Sequence, residues 1–244
     1  MSASNRYANE EVASSHRYPE EYRGPKPINE RIKAIAKIFS LNPKQALEFV
    51  KSLPALPIGA EGWFPFPSIE ALARRFFPGV RDKKEWLCAA SNLILANIGK
   101  SRKFYNFREG KFTPDRFHMN AKTACALEIL SSQQSGDILI AGAQFDRRYA
   151  GKSVRRAQEL INGHEFGAHT VAVGSMLLTH PERLAFYGDL WIDVPGDEFD
   201  LRTNGSFDHV PYFHFSFGGR VKFDTLWVGN PYEFCGSVSL FLPA

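Results

Sequence analysis

The feature that most limits how this chain can fold is the run from Tyr212 to Asp224, which reads Tyr-Phe-His-Phe-Ser-Phe-Gly-Gly-Arg-Val-Lys-Phe-Asp. Apolar and polar residues alternate on both sides of Gly218-Gly219, as they do in a strand with one buried face. Two alternating segments joined by two glycines are typical of a β-hairpin, because glycine adopts the positive φ angles of tight hairpin turns. The sequence therefore predicts a C-terminal β-hairpin whose phenylalanines cover a core.

The N-terminal half shows the apolar periodicity of helices instead, with Ser68 and Asp82 as predicted N-caps. Helices are predicted over residues 27–39, 42–53, 68–77, 82–99 and 115–134, with an irregular connection rich in proline and glycine over 53–67. Beyond residue 134 the patterns predict strands over 137–145, 190–194, 226–228 and 236–242, and helices over 152–162 and 167–178.

These elements predict an α+β fold, with α/β as the alternative. A helical N-terminal half is followed by a mixed β-sheet with two packed helices and the C-terminal β-hairpin. We divide the chain into a flexible N-terminal arm (1–26), a helical region (27–134) and an α/β region (135–244), packed as one compact unit. The arm is expected to lie on the body through Tyr18 and Tyr22.

Composition narrows the class of protein further. The 244 residues are 44% apolar and include 21 phenylalanines, enough for a large aromatic core. The three cysteines, Cys88, Cys125 and Cys235, are far apart and lie among apolar neighbours, which indicates reduced thiols. No apolar run has the length of a membrane span, and the first 26 residues do not resemble a signal peptide. We therefore expect a cytoplasmic protein without a membrane partner.

The sharpest local signal lies between residues 137 and 160, where the pattern predicts a buried strand, a basic loop and a helix that begins near Gly151-Lys152-Ser153. This is the context of a phosphate-binding loop, G-x-x-x-x-G-K-[ST], whose backbone N–H groups surround a phosphate. Asp146 stands where the first glycine belongs, and a carboxylate opposes a phosphate. The loop is therefore a degenerate match to the motif.

Acidic residues that follow this loop in the sequence are candidate ligands for a metal ion. The predicted strand over 190–194 ends in Asp193-x-x-Gly196, an order that can place a magnesium ligand beside a phosphate loop. This gives an alternative catalytic set of Lys152, Ser153 and Asp193. Asp197 and Glu198 complete an alternative magnesium site with Asp193, because clustered carboxylates suit hard cations. By contrast, His164 and His169 are five residues apart and cannot share one face of a helix as zinc ligands.

Two basic segments point to nucleic acid. From residue 100 to residue 156 the chain holds twelve lysines and arginines against five acids. In the first segment, residues 102–112, cations alternate with aromatic rings, as stacking on unpaired bases beside phosphates requires. In the second, cations gather at a helix start, where the dipole adds to their field. The candidate residues are Arg102, Lys103, Tyr105, Arg108, Arg147, Arg148, Lys152, Arg155 and Arg156.

The leading hypothesis is a non-catalytic intracellular protein that binds nucleic acid, or another phosphate-bearing partner, through this basic and aromatic surface, with no cofactor. The first alternative is a magnesium-dependent nucleotide-binding protein or phosphohydrolase that uses the degenerate loop. The second alternative is a structural or assembly protein, and a homo-oligomer is among the expected partners.

Overall fold

A computed structural model describes residues 5–243 of the chain, and within them the fold is α+β, with seven α-helices and eleven strands. The helices are α1 (Ile28–Phe39), α2 (Lys44–Phe49), α3 (Ile69–Phe76), α4 (Lys83–Ser101), α5 (Ala121–Gln133), α6 (Val154–Leu160) and α7 (Thr170–Thr179). The strands are β1 (Gly62–Pro67), β2 (Phe104–Asn106), β3 (Phe117–Met119), β4 (Ile138–Gln144), β5 (Glu165–Gly167), β6 (Trp191–Asp193), β7 (Asp197–Phe199), β8 (His209–Ser216), β9 (Arg220–Trp227), β10 (Cys235–Ser237) and β11 (Ser239–Phe241). Short 3-10 helices lie at Val50–Ser52, Arg147–Tyr149 and Pro181–Leu184.

Both predicted helix caps are confirmed. Ser68 Oγ accepts a hydrogen bond from the N–H of Ala71 at 3.1 Å and begins α3. Asp82 Oδ1 accepts from the N–H of Lys84 at 2.9 Å and begins α4. Each side chain satisfies one of the N–H groups that a helix start leaves without an internal partner, so these boundaries were readable from local sequence.

The hairpin is also confirmed, with a difference at its turn. β8 and β9 pair in antiparallel register from His209↔Trp227 to Ser216↔Arg220, so the predicted separate strand over 226–228 is the end of β9. The turn has three residues and includes Phe217, which is 88% exposed instead of buried. Gly219 supplies the positive φ of 69° that this three-residue turn needs.

Two other predictions of local structure were wrong, because pairing with distant strands decides them. The connection over 53–67 contains β1, which tolerates Pro65 and Pro67 because β1 is the edge strand of its sheet. The stretch over 115–134 is not one helix. It begins with β3, which pairs antiparallel with β7, and α5 starts only after Asn120.

The strands form two sheets. The smaller has the order β1-β4-β11-β5 and is antiparallel throughout. The larger follows the path β10-β6-β8-β7-β3, and β9 and β2 extend it from β8. The larger sheet is mixed, since β10 pairs parallel with β6 and β2 pairs parallel with β9. β1 precedes residue 135 and pairs with β4 beyond it, so the smaller sheet joins the two predicted regions.

Helix α7 lies in the centre of the molecule, and all but one of its ten residues are buried. It packs against α4, α1 and β1. Gly174 permits the close approach of α4, because a Cβ there would lie 2.1 Å from Ile94 Cγ2. The core is continuous around α7, with the aromatic rings of Phe64, Phe66 and Phe145 among its fully buried side chains.

The described part of the predicted arm, residues 5–26, lies against this body. Its backbone bonds to the segment before α6, with the N–H of Val12 donating to Gly151 O at 2.8 Å. Tyr22 is buried in the core, as expected, and Tyr18 reaches the buried Arg183. Residues 1–4 of the predicted arm lie outside the described residues.

Candidate nucleic-acid interface

The cations at the start of α6 are largely neutralised by acids of the N-terminal segment. Lys152 Nζ lies 3.1 Å from Glu11, and Arg155 Nε donates to Glu10 Oε2 at 2.7 Å. Arg156 donates to Glu11 at 2.5 Å, and also to Glu159. The hydrogen bond from Arg155 lowers the pKa of Glu10, which keeps that carboxylate ionised. These cations therefore face acids of the same chain.

Of the other two candidate arginines in this segment, Arg147 is exposed. Arg148 is partly exposed, and its Nε lies 3.7 Å from the carboxylate of Glu165 and donates to Tyr149 Oη at 3.3 Å. Arg147 and Arg148 are thus the most exposed cations of the second predicted basic segment, whereas Lys152 and Arg155 are partly exposed and paired with acids.

The degenerate phosphate loop has no free N–H group in the structure. All eight backbone N–H groups from residue 146 to residue 153 already donate within the protein. The acceptors, in chain order, are Tyr18 Oη for both 146 and 147, Gln144 Oε1, Asp146 O, Arg147 O, Cys235 O, Tyr149 O and Glu10 O. Ser153 caps α6 and its hydroxyl donates to Glu10 Oε2 at 2.6 Å. A phosphate-binding loop needs such groups unpaired, so this geometry does not form a phosphate cradle.

Asp146, at the position of the first glycine of the motif, is part of a buried ion pair. Its carboxylate accepts hydrogen bonds from Arg183, and both side chains are fully buried. The Arg183 guanidinium lies 4.4 Å from the centroid of the Tyr18 ring. Burial raises the pKa of Asp146, against the opposing effect of Arg183. The Asp146 carboxylate is therefore part of a buried ion pair and is not accessible to a ligand.

The three acids of the alternative magnesium site have separate environments. Asp193 is buried, and burial raises its pKa well above its usual range. Asp197 accepts from the N–H and the hydroxyl of Thr170 at the start of α7, both at 2.6 Å. Glu198 pairs with His118 at 2.7 Å. Within residues 5–243, no group of three or more histidine, cysteine, aspartate or glutamate side chains could hold a metal ion.

The first basic segment divides into buried and exposed members. Arg102 donates to the carbonyl oxygens of Leu177, Pro181 and Leu184, and so caps α7 and the 3-10 helix that follows. Arg108 pairs with Asp224 of β9 at 2.6 Å. Lys103 and Tyr105 are exposed, Tyr105 by 48%.

Lys103 and Tyr105 lie at the edge of a row of rings that crosses the larger sheet. Tyr105 pairs in register with Lys222, and Lys222 pairs with His214, so these side chains share one face. The ring of Phe107 lies 4.7 Å from that of Tyr105 and 5.3 Å from Lys222 Nζ.

The row continues beyond β8. The indole of Trp191 stacks on His214 at 4.5 Å and on Tyr212 at 5.3 Å, with interplanar angles of 23° and 13°. The ring of Phe234 lies 4.6 Å from that of Trp191, and Tyr232 stacks on Phe234. We call this row the aromatic face and define it by Tyr105, Phe107, Trp191, His214 and Phe234 together with Lys103 and Lys222.

The aromatic face is electrically positive or neutral along its centre. Burial and the nearby Lys222 lower the pKa of His214 to about 4, so its imidazole is neutral at physiological pH. Asp224 is compensated by Arg108. Lys103 and Arg220 are both exposed beside this row.

Sequence reasoning named Lys103 and Tyr105, and its segment 102–112 contains Phe107, but it missed the other members of the aromatic face, which are Trp191, His214, Lys222 and Phe234. The hairpin pattern contained part of the signal, because counting back from its turn pairs His214 with Lys222. Trp191 and Phe234 could not be found in this way, since their neighbours depend on the order of strands in the sheet.

Comparison of the chain with protein-family models, with curated proteins and with solved structures found no match.

Among residues 5–243, none of the helices has the length and apolar character that crossing a membrane requires.

Proposed function

We propose that this protein binds single-stranded nucleic acid, without catalysis, across the aromatic face. The observation that carries the proposal is the row of side chains over β2, β9, β8 and β6, in which aromatic rings lie on both sides of Lys222. Bases stack on aromatic side chains when they are unpaired, and neighbouring cations follow the phosphate backbone. Sheet surfaces with aromatic side chains serve this purpose in RNA recognition.

The chemistry favours an unpaired strand over a duplex. The rings of Tyr105 and Phe107 are 48% and 46% exposed, which leaves part of each ring available to a base. A base inside a duplex is already stacked on both sides and cannot use these rings. Lys103, Lys222 and Arg220 provide the positive charge for the phosphates.

The magnesium-dependent phosphohydrolase that the sequence left open has no comparable support, since the loop N–H groups and Lys152 are bonded within the protein. A homo-oligomer and a cytoplasmic location remain predictions. Light scattering of the purified protein measures the first, and fractionation of cells measures the second.

The proposal is tested by fluorescence anisotropy with labelled oligonucleotides, single-stranded and duplex, at several salt concentrations. Each of Tyr105→Ala and Phe107→Ala removes one stacking ring, and each should weaken single-strand binding about 5- to 100-fold. Phe76→Ala is the matched control, because Phe76 is 39% exposed but lies on α3, away from the aromatic face. The control should bind as the wild type does.

Charge on the aromatic face is tested separately. Lys222→Gln should reduce the slope of log affinity against log salt by about 0.7, the value for one phosphate contact with a single strand. Lys51→Gln, at an exposed lysine that pairs with Glu48, should leave the slope unchanged. Absence of single-strand binding at low salt, or equal losses in the Tyr105 and Phe76 variants, would refute the proposal.

A further inference from the structure

A second candidate site lies away from the aromatic face, in a cavity of about 690 Å³ between the starts of α3 and α4, strand β3 and helix α5. Its walls are mainly apolar and include Phe66, Trp86, Leu87, Phe117, Met119 and Leu127. Pockets of about 300–1,000 Å³ with such walls are the usual size for small-molecule ligands. No residue of the aromatic face lines this cavity.

Two polar residues of the lining are buried, Ser68, whose Oγ caps α3, and His169. His169 precedes α7 and is 1% exposed, and it lines the cavity. Neither ring nitrogen has a hydrogen-bond partner among the described residues. A buried polar group without a partner has lost its hydration without compensation, so a hydrogen bond from a ligand to His169 recovers free energy that folding alone does not.

His169 also limits the charge of the ligand. Burial lowers the pKa of His169 to about 3, so the ring is neutral at physiological pH. A neutral imidazole has one N–H donor and one acceptor nitrogen. A hydroxyl group matches this pair because it both donates and accepts. An ionised group would lose its hydration beside a neutral ring, at a much larger cost.

A second polar pair lies on the wall formed by β3. His118 is a cavity-lining residue, and its Nε2 lies 2.7 Å from Glu198 of β7, its cross-strand neighbour. The carboxylate fixes the orientation of the imidazole, and both side chains are partly exposed. Lys83 and Lys84, at the start of α4, also line the cavity and are exposed. Glu70 and Glu128 line the cavity too and are likewise exposed. The buried residues of the lining are apolar except His169 and Ser68, and Ser68 Oγ already accepts a hydrogen bond from Ala71.

From this arrangement we infer that the cavity binds an uncharged, mainly apolar molecule that carries a hydroxyl group, an alcohol or a phenol, with the hydroxyl hydrogen-bonded to His169. This inference does not depend on the nucleic-acid proposal, because the two sites share no residue.

Three fluorescent probes of one ring system test it: pyrene, 1-pyrenemethanol and 1-pyrenecarboxylate. Titration of each with the full chain should give tightest binding for 1-pyrenemethanol, about tenfold tighter than for pyrene, because only the alcohol satisfies His169. His169→Phe should abolish this preference while retaining pyrene binding. His169→Gln keeps both an N–H donor group and an acceptor atom and should retain a preference for the alcohol.

Variants of α5 establish where the probes bind. Leu127→Trp fills the cavity and should remove binding of all three probes. Ile129→Trp is the matched control on the same helix, since Ile129 is 41% exposed and does not line the cavity. Thermal melting of each variant verifies that it folds, and Ser131→Trp, at another cavity-lining position of α5, replaces Leu127→Trp if that variant does not.

Three results would overturn the inference. Equal affinities of the wild type for pyrene and its alcohol would show that His169 makes no hydrogen bond to the probe. Tightest binding of the carboxylate would show an ionic site. Unchanged binding in the Leu127 variant, if folded, would show that the probes bind elsewhere.

Discussion

At the scale of single residues, the most consequential contact is the buried pair of Arg183 and Asp146. Both side chains are fully buried, and the ring of Tyr18 covers the guanidinium. Two opposite charges in the interior stabilise each other only while both are present, because removal of one leaves a buried charge without compensation.

We therefore expect Arg183→Met to lower the free energy of unfolding by about 3–5 kcal/mol, measured by urea denaturation. The loss should be smaller near about pH 5 than near about pH 8, since without Arg183 the buried Asp146 becomes neutral by taking up a proton. The double variant Asp146→Asn/Arg183→Met should recover part of the loss.

The exposed pair of Lys51 and Glu48 provides the control for this experiment. Lys51→Ala should change the free energy of unfolding by less than about 1 kcal/mol. A similarly small effect of Arg183→Met would show that the buried pair does not hold the interior together.

At the scale of elements, the N-terminal segment, residues 5–26, packs over the start of α6, and we call this segment the strap. It provides Glu10 and Glu11 to the cations there, and its backbone bonds to Gly151. Gly151 has a φ of 77°, and a Cβ at this position would lie 2.1 Å from Val12 O. The contact therefore requires glycine for two reasons, its backbone conformation and its lack of a side chain.

Gly151→Ala should consequently loosen the strap. The expected result is faster cleavage by trypsin after Arg17, an exposed residue of the strap, and a loss of unfolding free energy larger than that of Gly163→Ala. Gly163 also has a positive φ, 61°, but a Cβ there has no atom within 4 Å, so its variant isolates the conformational cost of about 1 kcal/mol. Equal effects of the two substitutions would contradict the proposed packing.

At the scale of the whole molecule, two buried titratable groups make the free energy of unfolding depend on pH in opposite directions. Burial raises the pKa of Asp197 from 3.8 to about 7, whereas it lowers the pKa of His169 from 6.5 to about 3. The native state thus holds an extra proton on Asp197, and lacks one on His169, over overlapping ranges of pH.

Two variants should separate these contributions in urea denaturation at several pH values. The stability of the wild type relative to Asp197→Asn should fall as pH rises from about 4 to about 7, by up to about 1.4 kcal/mol per pH unit. The stability of the wild type relative to His169→Phe should depend on pH with the opposite sign: it should fall as the pH drops below about 6.5. A flat difference for either variant would show that its group titrates normally in the folded protein.

The sequence by itself determined the features that depend on neighbours along the chain. The alternation at 212–224 specified the β8–β9 hairpin, and Ser68 and Asp82 specified two helix starts, because caps and turns involve residues only a few positions apart. The aromatic core could be predicted from the number of phenylalanines and from the periodicity of apolar residues along the chain.

Only the tertiary structure decided which distant residues meet. It brought Glu10 to Arg155 and Asp146 to Arg183. Most of the cations and the loop that the sequence suggested for a phosphate are therefore occupied by contacts within the protein. It formed β1 and β3 from segments with little strand signal, because pairing with β4 and β7 overrides local preference. Most of the aromatic face and the cavity at His169 arise in the same way, because strand order and helix packing bring together residues that are distant in the sequence.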